Sequence, residues 1–446
     1  MDVTTSLLTD QYELTMVRAA MESGTFQRRS VFELFSRRLP TGRRYGIVAG
    51  TGRLLDALED FRFDDRDIDF LVQAKVADEK LAKWLADYRF SGSIWGYREG
   101  EAFFPGSPLL IVEGTFAEAV VLETLALSIY NYDCAVAAAA SRMTLMAAGR
   151  PCIEMGSRRM NEHAAVAAAR AAYIAGFAAT SNLEAGARYG VPTTGTAAHS
   201  FTLLHDTEEQ AFAAQLATLG ENTTLLVDTY DVEQAVRAGV ELTNGRLGAI
   251  RLDSGDLAEL AVTIRNLLDD LGAPQTRIIV TSDLDEYQIA ALRGAPVDGY
   301  GVGTSLVTGS GAPTCSFVYK LVARAATDDG PLVPVAKHSV GKASIGGRKY
   351  ALRRLDARGR ATAEVIGVGA PPSGDDNDRP LLAPLVVDGE IVGREPLADA
   401  RARHLRALAE LPMEARKMSR GEPAIETVLL DADGQPAANP YARSEV

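Results

Sequence analysis

Hydrophobic and polar positions change their spacing twice along this chain, and each change predicts a different kind of structure. Before residue 113, short runs such as SVFELFSRRLP, GSIWGY and PLLIVEGTF accompany one amphipathic helix, EKLAKWLADYRF, which is an α+β pattern. From Ala117 to Gly149 the chain is rich in Ala, Leu and Met and contains no proline, which predicts a long helical stretch.

After Gly149, short apolar strands alternate with helices. The predicted strands are CIEMGSRR, TTGTAAH, TLLVDTY, GAIRLDSGD, RIIVTSDLD and DGYGVGTSL. The predicted helices are EHAAVAAARAAYIAGFAAT, DVEQAVRAGVEL, DLAELAVTIRNLLDDL and EYQIAALRG. Such repeated units predict a parallel sheet, either a barrel or a doubly wound sheet. We favour an α/β barrel because nearly every predicted strand ends in polar or glycine residues, and in a barrel all these ends meet at one mouth.

The last part of the chain returns to short elements. The segment VAKHSVGKASIGGRKYALRRL predicts a basic hairpin, LLAPLVVDGEIVGREPL predicts a hairpin around Asp-Gly, and ADARARHLRALAELPMEARKM predicts a closing amphipathic helix. These pieces are too small for a large core of their own. We therefore expect an N-terminal α+β domain over 1–112, a catalytic α/β barrel over 113–311, and a C-terminal segment over 312–446 that returns to the first domain.

Composition and charge narrow the class of protein. A chain of 446 residues has room for about two or three domains. The formal net charge of −13 argues against nucleic acid or an acidic membrane as the main partner. Cys134, Cys152 and Cys315 lie far apart, which argues against a disulfide framework and a structural zinc site. We see no secretion signal and no apolar run long enough to span a bilayer, so we expect a cytoplasmic protein.

Candidate chemistry gathers at the predicted strand ends. DGYGVGTSL offers backbone N–H groups and a hydroxyl to a phosphate, with a tight glycine turn as the open alternative. IRLDSGDL places Arg251, Asp253 and Asp256 where carboxylates can bind sugar hydroxyls or Mg²⁺, with a helix N-cap as the alternative. His199 follows no zinc pattern; it is either a hydrogen-bonded structural residue or a nucleophile that carries a phosphoryl group.

The basic segment near the C-terminal end also allows two interpretations. It is either a polyphosphate clamp or the solvated face of a hairpin. Its cations are Lys337, Lys342, Arg348, Lys349, Arg353 and Arg354.

Seven segments in this order resemble the nicotinate phosphoribosyltransferase family. They are LLTDQYELTM, FELFSRRLP, EMGSRRM, GTAAHSF, IRLDSGDL, GVGTSL and KHSVGKASIGGRKYALR. The resemblance covers nearly the whole chain. It implies ATP-coupled transfer of phosphoribosyl from 5-phosphoribosyl-1-pyrophosphate to nicotinate, giving nicotinate mononucleotide and pyrophosphate for NAD biosynthesis or salvage. It also implies an irregular, TIM-like α/β barrel beside an α+β domain built from both chain ends, Mg²⁺ as cofactor, and a homodimer with shared active sites.

The resemblance also implies roles for single residues. His199 matches the phosphorylated histidine, and Tyr12 matches an aromatic residue that stacks on the pyridine ring from the neighbouring subunit. Arg158 and Arg251 match residues near the ring and ribose, and Asp253 matches a ribose-binding carboxylate. Asp253 or Asp256 is also a candidate for Mg²⁺ through bound water. The other expected substrate-binding positions are Met155, where relatives often carry Phe, the strand-end residues Thr196, Asp228 and Ser282, the 5′-phosphate residues Gly301, Gly303 and Thr304, and the basic residues Lys337, Lys342 and Lys349.

Other functions remain as alternatives. A nicotinamide-using relative keeps an aspartate in the ring pocket, where this chain has Asn182. Two pocket arginines instead fit the carboxylate of nicotinate. Quinolinate phosphoribosyltransferase shares the fold, but the TDQY start and the phosphohistidine motif argue against it. The remaining alternative is a catalytically silent nucleotide- or metabolite-binding relative.

Overall fold

The computed structural model describes residues 4–327, 330–337 and 344–441. Its helices are α1 Gln11–Glu22, α2 Thr51–Glu59, α3 Asp65–Gln73, α4 Glu79–Ala86, α5 Phe116–Val120, α6 Glu123–Ala147, α7 Glu162–Ile174, α8 Leu183–Tyr189, α9 His199–Leu204, α10 Glu208–Leu219, α11 Val232–Leu242, α12 Leu257–Asp270, α13 Glu286–Ala291, α14 Thr304–Val307 and α15 Leu397–Glu410. Short 3₁₀ helices occupy Ser6–Leu8, Ser157–Arg159, Leu292–Gly294 and Met413–Arg416.

The strands are shorter than the helices on the whole. They are β1 Arg29–Ser36, β2 Gly46–Ile47, β3 Ser93–Tyr97, β4 Ala102–Phe103, β5 Leu110–Thr115, β6 Cys152–Glu154, β7 Ala179–Thr180, β8 Thr224–Leu226, β9 Ala249–Leu252, β10 Arg277–Val280, β11 Gly299–Val302, β12 Phe317–Ala325, β13 Leu332–Pro334, β14 Lys349–Leu355, β15 Ala361–Val368, β16 Arg379–Pro380, β17 Leu382–Val387, β18 Glu390–Ile391 and β19 Glu426–Leu430.

The chain divides into two compact units. The first unit joins both chain ends, Met1–Ala138 and Thr314–Val446, and the second unit is Ala139–Pro313. The division falls inside the long helix α6, whereas the sequence analysis placed a domain boundary before it, at residue 112. The predicted boundary at 311 and the observed one at Pro313 lie two residues apart.

The first unit contains two main sheets. One has the order β13-β12-β1-β5-β3-β17-β18 and is antiparallel throughout; the other has the order β16-β14-β15-β19. Strand β1 is buried along all but its first residue, because both of its neighbours and the helices that pack on the sheet cover it. The predicted strands and the amphipathic helix of this region are confirmed by β1, β3, β5 and α4.

The C-terminal elements bear on two predicted hairpins. The basic segment 335–355 includes residues 338–343, which lie outside the described residues; on either side of them the Ser344 N–H donates to the Lys337 carbonyl, and β14, at the end of the segment, pairs with β15 and β16. The basic hairpin therefore stays a prediction. The hairpin around Asp388 and Gly389 is confirmed, with both residues at positive φ, as a type I′ turn requires.

The second unit is built on a six-stranded parallel sheet with the order β7-β6-β11-β10-β9-β8. The last strand of the unit, β11, lies beside its first strand, β6. This is the circular order of a barrel, left open between β7 and β8 in the described part of the chain. The predicted helices are confirmed by α7, α11, α12 and α13, and the chain has a mixed α/β fold.

The predicted strand TTGTAAH is wrong. Only Thr193 makes a β-bridge, to Thr180, and His199 begins helix α9. The residues between them are mostly exposed. A strand needs side chains to bury on one face, and this run of small and polar residues has none. The second strand of the sheet is instead β7, over Ala179–Thr180.

One helical stretch meets the length and composition criteria for a membrane span, which the sequence analysis did not expect. Among the described residues, Phe116–Ala147 is long and apolar enough to cross a bilayer by length and composition, although the sequence analysis found no such run. Of its most apolar window, 67% is buried inside the protein. A buried core helix meets the same criteria as a membrane span.

Candidate functional site

Two aspartates link neighbouring strand ends in the second unit. Asp228 follows β8, and one of its carboxylate oxygens accepts hydrogen bonds from the Asp253 backbone N–H at 3.0 Å and the Ser254 hydroxyl at 2.8 Å. Asp253 follows β9, and its carboxylate accepts a hydrogen bond from the Thr281 hydroxyl after β10. The ends of three adjacent strands are thus connected through side chains.

His199 joins this group from helix α9. Its Nδ1 lies 3.2 Å from the Thr229 hydroxyl, and its Nε2 lies 3.9 Å from the second carboxylate oxygen of Asp228. The imidazole is 41% exposed, whereas the Asp228 side chain is only 4% exposed. That Asp228 oxygen has no hydrogen-bond partner among the described residues. A buried carboxylate therefore fixes negative charge beside a reachable imidazole.

His205, the other histidine of this window, has a local structural partner. Its Nδ1 is 2.9 Å from the Phe201 carbonyl oxygen, and its ring contacts the Phe201 ring.

Two arginines approach the same strand ends. Arg251 lies in β9 and is partly buried, and Arg158 is exposed on the 3₁₀ helix after β6. Burial lowers the pKa of the Arg251 guanidinium; Asp253 and Asp228 oppose this, and the positive charge of Arg158 adds to it. The Nε of Arg251 is buried with no hydrogen-bond partner among the described residues. This pair of cations suits an anion that reaches the site from solvent.

Met155 and the glycine segment close one side of the site. A Cβ atom on Gly301 would lie 2.4 Å from the Thr281 methyl and 2.8 Å from the Met155 sulfur, so only glycine fits there. Gly301 is inside β11 and Gly303 has φ −114°, so the segment is not the tight glycine turn that the sequence allowed. Glycine is needed here for space.

The other predicted residues of this unit lie near the strand ends with fewer contacts. Thr196 is exposed before α9, and Thr304 is the exposed first residue of α14. Ser282 follows β10 with φ 144°, a strained value for a residue with a side chain, and such strain is concentrated at functional sites. Asp256 caps α12 by accepting hydrogen bonds from two backbone N–H groups, so the helix N-cap lies at Asp256 and not at the Asp253-Ser254 pair that was the alternative interpretation.

One supporting residue, Glu154, was missed by the sequence analysis, and Asn182 was named there only as a ring-pocket position. Glu154 is fully buried in β6 and accepts hydrogen bonds from the Gly156 N–H and the Thr180 hydroxyl; burial raises the pKa of its carboxyl. Asn182 donates to the Ser157 hydroxyl at 3.0 Å and caps α8. The sequence signal for Glu154 is its position: it is a carboxylate in a short apolar run, a few residues before Arg158 and Arg159.

A further acid lies close enough to influence Asp228. Glu208 is the first residue of α10, and burial, Glu209, Asp231 and Asp228 together raise its pKa to about 7. One of its carboxylate oxygens is buried with no partner among the described residues. Within the described ranges, no group of three or more His, Cys, Asp or Glu side chains is arranged to hold a metal ion.

The remaining predicted residues belong to the first unit. Tyr12 is 46% exposed in α1; burial of its hydroxyl and the nearby Glu123, which accepts a hydrogen bond from it, raise its pKa. Glu123 also lies 3.7 Å from Lys320 Nζ. Lys337 is exposed, with its backbone bonded to Ser344. Lys342 lies outside the described residues.

Lys349 and its neighbours are not free cations. Lys349 is 3% exposed and forms a buried ion pair with Glu33. The three nearby arginines are also paired with carboxylates: Arg348 with Glu113, Arg353 with Glu364, and Arg354 with Asp378. These four side chains form structural ion pairs, which neither interpretation of the basic segment predicted.

Comparisons with known proteins identify the family. Residues 7–131 match the family model described as nicotinate phosphoribosyltransferase (NAPRTase) N-terminal domain. The Mycobacterium tuberculosis protein named nicotinate phosphoribosyltransferase pncB1 is 56% identical over 435 residues, 96% of this chain and 95% of that protein. The Bacillus subtilis nicotinate phosphoribosyltransferase is 38% identical over 367 residues, 80% of this chain and 74% of that protein. The crystal structure of human nicotinic acid phosphoribosyltransferase matches with a TM-score of 0.80 at 25% identity, over 94% of this chain and 97% of that one. As the seven sequence segments predicted, the chain belongs to the nicotinate phosphoribosyltransferase family.

Proposed function

We propose that this protein transfers phosphoribosyl from 5-phosphoribosyl-1-pyrophosphate to nicotinate, giving nicotinate mononucleotide and pyrophosphate. One observation carries the proposal: a continuous series of contacts runs from His199 through Asp228, Asp253 and Thr281 to Gly301. A histidine, a carboxylate corner and a glycine segment are thereby held at one edge of the parallel sheet, where the βα loops of such folds carry chemistry. Family membership supports the same reaction.

His199 is the proposed phosphoryl acceptor. A ring nitrogen would attack the γ-phosphorus of ATP, the bond to the β–γ bridging oxygen would break, and ADP would leave. Thr229 is within hydrogen-bond distance of the imidazole, Asp228 lies beside it, and its exposure leaves room for the phosphoryl group. Hydrolysis of the phosphohistidine would then pull the transfer towards product.

The sugar and ring have candidate partners on the same edge. In the transfer step the pyridine nitrogen forms a bond to the ribosyl carbon and pyrophosphate leaves with the bonding electrons. Asp253 would bind ribose hydroxyls, and Arg251 and Arg158 would hold the nicotinate carboxylate. The thioether of Met155 would pack against one face of the ring. The 5′-phosphate would bind over Gly301, Gly303 and Thr304.

Mg²⁺ fits this site as a substrate-bound ion. The unpartnered, buried oxygen of Asp228 and the strand-end carboxylate of Asp253 supply the hard oxygen ligands that Mg²⁺ prefers, directly or through water. Mg²⁺ usually takes one or two carboxylates together with substrate phosphates, so a cage of three protein ligands is not required. When bound, it neutralises charge on the departing pyrophosphate.

The wider assembly is also part of the proposal. The circular strand order supports an irregular, TIM-like barrel in the second unit. Tyr12 offers an exposed ring, which suits stacking on nicotinate in a homodimer with shared active sites. Lys337, but not the paired Lys349, keeps an ammonium available for polyphosphates. We propose ATP as co-substrate and the cytoplasm as the compartment.

The decisive experiment measures nucleotide product from nicotinate and 5-phosphoribosyl-1-pyrophosphate, with and without ATP. We expect ATP to raise product yield, and γ-labelled ATP to label wild type and His205→Ala but not His199→Ala. His205 is the matched control because it is another histidine of the same short window with a structural partner. Equal labelling of His199→Ala would refute the phosphohistidine. Absence of product in all mixtures would favour the silent relative.

Nicotinamide is the competing substrate. At the position where a nicotinamide-using relative keeps an aspartate, Asn182 has both side-chain polar atoms engaged, with Ser157 and the Ala185 N–H. A neutral amide oxygen that already accepts one hydrogen bond holds a nicotinamide N–H less strongly than an aspartate would, whereas Arg158 and Arg251 favour a carboxylate. We expect nicotinate to give the higher kcat/KM. A preference for nicotinamide would reverse the assignment.

A further inference from the structure

A cavity of about 560 Å³ lies in the first unit, apart from every residue assigned to the proposed reaction. Both main sheets line it: Trp95 comes from β3 and Leu382 from β17, while Tyr350 and Leu352 come from β14. We call it the Trp95 pocket. Its volume is within the range of small-molecule sites, which is about 300–1,000 Å³.

Two aromatic rings and one guanidinium form its most distinctive wall. The Arg348 guanidinium carbon lies 4.2 Å from the centroid of the Tyr350 ring and 5.7 Å from that of the Trp95 ring. Arg348 is held there because it also forms an ion pair with Glu113 at 2.6 Å. The planar groups are therefore fixed before any ligand arrives, which lowers the cost of ordering them on binding.

The charged groups of the lining already have partners. Besides Arg348, Arg379 binds the carboxylates of Glu101 and Glu410. Asp378 accepts hydrogen bonds from the Arg354 guanidinium and a backbone N–H. Asp375, the other charged residue of the lining, is exposed and accepts hydrogen bonds from the backbone N–H groups of Asn377 and Asp378. A charged ligand would give up its hydration without gaining a buried ion pair. The apolar side chains and the ring surface that Arg348 does not cover remain available for contact.

We propose that the Trp95 pocket binds an uncharged, planar aromatic small molecule. The ring system would stack on the wall formed by Trp95, Tyr350 and Arg348, and its edge would pack against Leu352 and Leu382. Every aromatic ring system has a π-face and can stack on another ring. The pocket therefore defines a chemical class of ligand and does not select one compound. This site goes beyond the proposed function and shares no residue with it.

The test uses ligand-observed saturation-transfer NMR on the full chain. The probes are indole, adenine and quinoline, which are uncharged and planar at neutral pH, with indole-3-acetate and tryptamine as charged counterparts of indole. We expect saturable binding of the uncharged probes and weaker binding of both charged ones. Tyr350→Ala should weaken binding by about tenfold, since losing one stacking ring has an effect of that order. Tyr350→Phe should retain binding.

Two controls keep the result interpretable. Trp95→Leu preserves an apolar side chain against the neighbouring core and tests the other ring if Tyr350→Ala does not fold. His199→Ala should bind all probes as wild type does. This control separates binding in the Trp95 pocket from the proposed reaction, so either proposal can fail without the other. The proposal is overturned if no uncharged probe binds at millimolar concentration, if charged probes bind better, or if binding survives both ring-removing variants. Binding of decaproline in preference to the three rings would instead indicate a peptide groove and would also overturn it.

Discussion

Lys349→Met separates a structural from a substrate-binding role for this lysine. The side chains of Lys349 and Glu33 are 4% and 2% exposed, and the ammonium also donates to the Ile345 carbonyl at 2.5 Å. Removing the ammonium leaves the Glu33 carboxylate buried without its counter-charge. Breaking a buried pair in this way costs about 3–5 kcal/mol, a large part of the roughly 5–15 kcal/mol by which a typical protein is stable. We expect the urea midpoint of unfolding to fall strongly.

The pH dependence of this variant has a definite sign. Burial raises the pKa of Glu33, and Lys349 opposes that rise. Without Lys349, the folded state keeps the Glu33 proton to a higher pH than the unfolded chain does. The variant should therefore be most stable at acidic pH and should lose stability as pH rises through the raised pKa of Glu33. Urea unfolding at pH 5 and pH 8 measures this difference.

A double variant completes the test. In Lys349→Met/Glu33→Leu no buried charge is left unpaired, so we expect most of the lost stability, and nucleotide synthesis with it, to return. Arg246→Met is the matched control because Arg246 and its partner Glu221 are 63% and 43% exposed, and loss of such a surface pair changes the stability of a protein little. A double variant that folds like wild type but needs far more 5-phosphoribosyl-1-pyrophosphate would refute our structural assignment of Lys349.

Three further predictions concern single positions. Gly301→Ala places a methyl group 2.4 Å from the Thr281 side chain, so we expect about 1–3 kcal/mol of destabilisation and reduced kcat/KM; wild-type values for both would contradict the close approach. Asp228→Asn removes the negative charge beside His199, and we expect ATP stimulation of product formation to fall by at least about tenfold with less effect on the ATP-independent rate. An equal fall in both rates would count against it. Burial raises the pKa of Glu13 to about 7, so its contribution to stability is present at low pH and is lost as pH rises from about 4.5 through 7. Glu13→Gln should flatten that part of a pH–stability curve, and an unchanged curve would show that Glu13 does not titrate as inferred.

Several helices and strands could be predicted from this sequence because the spacing of apolar residues within a short segment indicates which side chains are buried. Strands β9 and β10 are short apolar runs that are mostly buried, and helix α12 repeats its apolar residues along one buried face. All three elements were predicted. The strand predicted at TTGTAAH failed for the opposite reason. Its residues bury almost nothing, so whether the backbone extends there is decided by packing that no local pattern records.

Charge pairing could not be predicted in the same way. The cations of the basic segment lie close together in the sequence, but Glu33 and Glu113, which neutralise Lys349 and Arg348, lie more than two hundred positions earlier. Charge runs show how many cations a segment has and not which carboxylates the fold brings to them. The strand-end residues of the second unit were easier to predict because parallel strands place their ends on one edge whatever the side chains are.

Unsatisfied buried atoms recur at the strand ends of the second unit. In the first unit, Lys349 binds a buried carboxylate, and Arg353 binds one through Nη2 while its Nε and Nη1 have no hydrogen-bond partner among the described residues and its guanidinium lies over the Phe104 ring. In the second unit, buried polar atoms of Asp228, Arg251 and Glu208 have no hydrogen-bond partner within the described ranges. Leaving such an atom unpaired costs about 1–3 kcal/mol. We therefore take the unpaired atoms at the strand ends as groups that bind a ligand or take part in the reaction. Asp228 shows how such a group is held: one oxygen is bonded to the end of the next strand, which aims the other, unpaired oxygen at His199. Because that bond uses the backbone N–H of Asp253, the main chain of Asp253 positions the group beside the histidine. One oxygen of the Asp253 carboxylate accepts from Thr281, and the other remains for substrate.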